Sequence, residues 1–111
     1  MLKRGRMKPW NNFRHGNLFI ATIRQADSDP TGELIYEFKV YDGYNESEMK
    51  AGPLLTTLSL DYHSDIDNGT FFLQEDAGDK HVTIDQFKED PGYDKIEERV
   101  LEYIDNHYSK E

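Results

Sequence analysis

The stretch ELIYEFKVYDG narrows the folding options of this chain more than any other. It places Leu34, Tyr36, Phe38 and Val40 on one side of an extended backbone and Glu33, Glu37 and Lys39 on the other. Successive side chains of a strand point to opposite faces, so this period of two specifies a half-buried β-strand and is out of phase with a helix. LLTTLSLDYH repeats the pattern, with Leu58, Leu60 and Tyr62 facing opposite to Ser59, Asp61 and His63. Strands of this kind share one apolar face, which a second layer must cover.

Three further segments extend the sheet. NLFIATIRQ is rich in apolar and β-branched residues and ends in the turn formers ADSDPTG. TFFLQE follows Asn68-Gly69, a pair that readily takes the positive φ angles of a hairpin turn, so it should run antiparallel to the 54–63 strand. HVTID sets Val82 and Ile84 on one side, as a fifth short strand would. A helical turn competes there, because Thr83 and Gln86 have capping-box spacing before a run that Pro91 would stop, but the strand is the preferred reading. YNESEMKAGP reads as a long polar connection.

From about Pro91 to His107 the period changes. Tyr93, Ile96, Val100 and Ile104 recur every three or four residues, Pro91 suits a first turn and Asp90 suits a cap. The expected fold class is α+β: a single antiparallel sheet of four or five strands with one C-terminal helix packed on one face. At 111 residues the chain has the size of one domain. Seven Tyr, six Phe and one Trp supply a core although apolar residues make up only 36% of the chain.

Charge divides the chain in two. Lys3, Arg4, Arg6, Lys8 and Arg14 stand in a segment without a carboxylate, yet the formal net charge is -9. The expected organisation is therefore a basic N-terminal arm over residues 1–15 and a single acidic domain over 16–111. An acidic body repels phosphate and anionic lipid and attracts basic proteins. No apolar run approaches the roughly 20 residues of a membrane helix, no signal-peptide pattern opens the chain, and there is no cysteine. A cytoplasmic protein that does not dock to membranes is expected, without disulfides, thiolate chemistry or Cys-ligated zinc.

Motifs that would carry chemistry are weak. HSDIDNGTFFLQE gives Gly69 and Glu75 the spacing of a calcium loop, but the same register puts Ile66 at a ligand position, where it cannot coordinate. His63, Asp65 and Asp67 are suitable types for a divalent cation; His63 and His81 should lie near opposite ends of the TFFLQE strand, too far apart to share one. Nucleophile elbows and glycine-rich phosphate loops are absent from the sequence. Asn45-Glu46-Ser47 and Asn68-Gly69-Thr70 read as turns and not as glycosylation acceptors.

Two charge features remain. Asp94, Glu98, Glu102 and Asp105 follow one another at spacings of four, four and three, forming a single acidic ridge along the helix. In the arm, Trp10 and Phe13 are interleaved with Lys8, Arg14 and His15, a pattern compatible with stacking on single-stranded nucleic acid or with the arm lying back on the acidic body. The leading expectation is a small non-catalytic interaction protein that needs no cofactor and engages a basic protein through Asp94, Glu98, Glu102 and Asp105, as an inhibitor or nucleic-acid mimic would. The alternatives are nucleic-acid binding through Lys3, Arg4, Arg6, Lys8, Trp10 and Arg14, and a metal-dependent enzyme using His63, Asp65 and Asp67.

Overall fold

The computed structural model describes residues 7–25, 34–63 and 65–108. Among these residues eight strands and one helix are formed: β1 (Met7–His15), β2 (Leu18–Gln25), β3 (Leu34–Tyr41), β4 (Tyr44–Asn45), β5 (Lys50–Ala51), β6 (Leu54–His63), β7 (Thr70–Ala77), β8 (Lys80–Phe87) and α1 (Tyr93–His107). The main sheet has six strands in the order β1-β2-β3-β6-β7-β8, every neighbouring pair antiparallel. It is a meander, interrupted where β4 and β5 form a separate two-stranded ribbon between β3 and β6.

The α+β class and the C-terminal helix on an antiparallel sheet are as expected, but the sheet has six strands and not four or five. The additional strand is β1, from the segment expected to be an arm. MKPWNNFRH lacks a run of alternating apolar residues, and an edge strand needs few: Phe13 packs against the core, while Asn11 and His15, in phase with it, meet the helix through polar groups. Its partner β2 supplies the apolar content, with Phe13 opposite Ile20 and His15 opposite Leu18.

Alternation fixes which side is buried. Leu18, Ile20, Tyr36, Phe38, Val40, Leu58, Leu60 and Leu73 turn to the face that α1 covers. The helix returns Ile96, Val100 and Ile104, all fully buried, and Tyr93 lays its ring edge-on to Tyr36 at a centroid distance of 5.1 Å. Burying each aliphatic side chain contributes about 1.5–3 kcal/mol, an upper estimate against a compact unfolded chain. A 15-residue helix is marginal by itself, so this stripe holds α1 in place.

The helix begins at Tyr93, two residues later than expected, and Asp90 does not cap it. The cap is Gly92 at φ 87°, without a side-chain hydrogen bond, while the Asp90 carboxylate accepts the Gly92 N–H at 2.9 Å. Pro91 is therefore outside the first turn, and Asp90 braces the bend that leads into the helix. Between β6 and β7 the chain turns through Asp67, Asn68 and Gly69, all with positive φ. At Gly69, with φ 111°, a side chain would also collide with the Tyr62 hydroxyl, so glycine is required twice over. Among the described residues, no helix is long and apolar enough to cross a membrane.

Candidate functional site

The four ridge carboxylates lie on the side of α1 turned away from the sheet, and all four residues are exposed. They are not equivalent. Glu102 receives Arg99, whose Nε also donates to Asp85 of β8 at 2.9 Å. The hydrogen bond to Asp85, more than any other influence, raises the Arg99 pKa and keeps its guanidinium charged. Asp105 lies 2.7 Å from Nε2 of His15, which links the helix to the edge strand β1. Among the described residues no ion pair engages Asp94 or Glu98. The ridge thus consists of Asp105, which links the helix to the edge strand β1, Glu102, which pairs with Arg99 of the same helix, and Asp94 and Glu98, which project into water.

The basic segment is partly committed to the body. Arg14 reaches Glu46 of the ribbon at 2.5 Å and lies 6.0 Å from the centroid of the Tyr44 ring, which stacks on Phe19 at 4.6 Å. Lys8 and Trp10 belong to β1 by backbone, but their side chains lie outside the described set, as do Lys3, Arg4 and Arg6. His63 ends β6 with its ring edge-on to Phe72 at 5.3 Å. Asp65 and Asp67 are exposed in the following turn, and Asp67 pairs with Lys88 at 3.3 Å. Opposite β7, His63 pairs with Thr70 and His81 with Asp76, near the two ends of that strand. No group of three metal-ligating side chains comes together among the described residues.

Two carboxylates away from the ridge stand in unusual surroundings. Glu75 of β7 is fully buried and accepts hydrogen bonds from Thr56 Oγ1 at 2.7 Å, from Tyr103 and from Tyr108. The tyrosines come from the C-terminal end and the cap of α1, so one buried carboxylate ties the helix end to β6 and β7. Burial first, then the hydrogen bond to Glu75, pushes both phenol pKa values up, so both remain donors at neutral pH. The signal was present in TFFLQE: Glu75 is in phase with Phe71 and Leu73 and therefore on the apolar face.

Asp61 is the second. It lies on the opposite face of the sheet, and its Oδ1 is buried without a hydrogen-bond partner. Burial raises its pKa above the usual carboxylate value, against smaller opposing effects from Ser59, His63, His81 and Gln74. Its place in SLDYH reads as an ordinary solvent-facing position, so only the packing discloses the strain.

A groove separates α1 from the edge strand β8. Val82 and Ile84 form its floor, and Arg99, Glu102, Tyr103 and Asn106 its helical wall, enclosing roughly 400 Å³. No known protein family, curated protein or solved structure matches this chain.

Proposed function

We propose that this chain is a small non-catalytic interaction protein of the cytoplasm that engages a basic protein through the outer face of α1. The observation that carries the reading is the division within the ridge: Glu102 and Asp105 hold Arg99 and His15, while Asp94 and Glu98 are exposed and engaged by no ion pair among the described residues. Like charges at i and i+4 weaken a helix by roughly 0.2–0.5 kcal/mol, a cost that the place of Asp94 in the first turn of α1 offsets, so the pair can stand unpaired at little expense. Carboxylates held on a rigid helix raise the encounter rate with a cationic surface and exclude anionic ones. A net charge of -9 acts in the same direction.

The test is affinity capture from native extract at low and at high salt, using the wild-type chain and the double variant Asp94→Lys, Glu98→Lys. A basic protein should be retained at low salt, released at high salt and lost from the double variant while its cooperative unfolding transition is kept. Capture that is equal for both chains would remove the helix face as the contact surface.

A further inference from the structure

The face of the main sheet turned away from α1 meets no helix among the described residues. Leu18, Ile20, Tyr36, Phe38 and Val40 point to α1, so the alternate residues of β2 and β3, among them Phe19, Ile23, Glu37, Lys39 and Tyr41, point the other way, and all five are half-buried. Phe72 of β7 continues this surface, and so do Leu54 and Leu55, 51% and 38% exposed at the bulge opposite Tyr41. The ribbon covers one corner, where Tyr44 stacks on Phe19. Six strands about 4.8 Å apart and about 25 Å long make a face of roughly 600–700 Å². A specific interface buries about 600–1,000 Å² on each partner, so the face is large enough to hold one.

Charge decides which partner the face fits. Glu37 and Lys39 are neighbours on β3, an interior strand, and among the described residues no side-chain hydrogen bond or ion pair engages either. Their charges cancel, so the centre of this face offers a basic protein no net attraction, in contrast to α1. It is, however, complementary to itself. A two-fold axis that crosses the strands midway between positions 37 and 39 sets Lys39 of each copy over Glu37 of the other, twice in one contact. Stacked sheets lie about 10 Å apart, a gap that a lysine and a glutamate span when they meet head to head. Both residues stand only about 3.3 Å along the strand from such an axis, so the roughly 30° rotation between stacked sheets leaves them in reach.

We infer that this open face is the interface of a homodimer, in which two copies stack sheet to sheet about a two-fold axis crossing β3 between Glu37 and Lys39. Ile23, Tyr41, Leu55 and Phe72 contribute apolar area, and the two reciprocal ion pairs fix the register. The net charge of -9 on each copy opposes their approach, but at physiological ionic strength it is screened over about 8 Å, which leaves the contact itself to decide. Both helices then face outward on opposite sides of the assembly. The inference is independent of what α1 binds, and it presents the acidic helix face twice in each dimer.

The test is sedimentation equilibrium of the full-length protein at physiological ionic strength, from micromolar to near-millimolar concentration. The expected result is a reversible monomer–dimer equilibrium, weakened about tenfold or more by Glu37→Lys, by Lys39→Glu and by Leu55→Asp, each with its cooperative unfolding transition retained. The double variant Glu37→Lys, Lys39→Glu, which exchanges the two charges, should associate again to within about threefold of the wild type. Where a β3 variant loses its cooperative transition, Leu55→Asp, at an exposed position, decides the outcome. A monomer at every concentration, or a dimer indifferent to all three single changes, would overturn the inference. A charge-exchanged variant that associates no better than the single variants would overturn the reciprocal pairing and with it the axis.

Discussion

Glu75 shows how a single side chain couples two elements. Three hydroxyls, from Thr56, Tyr103 and Tyr108, are oriented toward it, so removing the carboxylate leaves buried donors without acceptors as well as a void. Glu75→Ala should cost about 3 kcal/mol or more, and Glu75→Gln, which retains one acceptor oxygen, about 1–2 kcal/mol, both read from urea unfolding midpoints. Asp61 should behave in the opposite way. Its pKa in the folded chain is raised by burial above the ordinary value of 3.8, so between those two values the native state holds more protons than the unfolded state. Stability therefore falls as pH rises through that window, and the penalty is complete above the folded pKa. Asp61→Asn should raise the thermal midpoint at pH 7, and the gain should vanish below about pH 3.8, where the acid is protonated in both states. An equal gain at both pH values would show that charge burial is not its cause.

Among the elements, the ribbon and the β6–β7 turn depend on glycine for different reasons. At Gly52 a Cβ would strike the backbone carbonyl of Asp42, at the place where the Gly52 N–H bonds Gly43 O at 2.8 Å. Gly52→Ala should disrupt β4 and β5 and leave the main sheet intact, visible as faster amide exchange confined to residues 43–52. Gly69→Ala should be more damaging, by about 2 kcal/mol, because a positive φ and contact with Tyr62 both oppose it within the hairpin that joins two interior strands. The elements also show what could be read in advance. β3, β6, β7 and α1 follow from their periods, because each buries one clean face, and the strand preferred for HVTID is present, extended to Lys80–Phe87. β1 did not, because an edge strand can be stabilised by its neighbour's apolar residues and by polar contacts such as His15 with Asp105. The start of α1 was misjudged for a similar reason: Asp90 has the chemistry of a cap but satisfies the backbone of the preceding bend. The ridge was legible as spacing along the helix, whereas its division into paired and projecting carboxylates depends on Arg99, three residues from Glu102, and on His15, which only the fold brings alongside Asp105.

For the whole molecule, charge and topology act together. The meander keeps most contacts between strands adjacent in sequence, and the helix covers one face of them, secured by its aliphatic stripe, by Glu75 and by ion pairs toward both sheet edges. The basic residue Arg14 is drawn into this scheme by Glu46, so part of the positive charge near the N-terminus serves the fold itself. What remains outward on α1 is net acidic, Asp94 and Glu98 beside the exposed Lys95, and association with a cationic partner should weaken with salt because exposed charges are screened over about 10 Å at 0.1 M ionic strength. The most direct measurement is the dependence of partner affinity on salt concentration for the wild-type chain and for Asp94→Lys, Glu98→Lys. The account predicts a steep decline for the wild type and a much shallower one, from a weaker starting affinity, for the variant. Parallel declines of equal magnitude would contradict it.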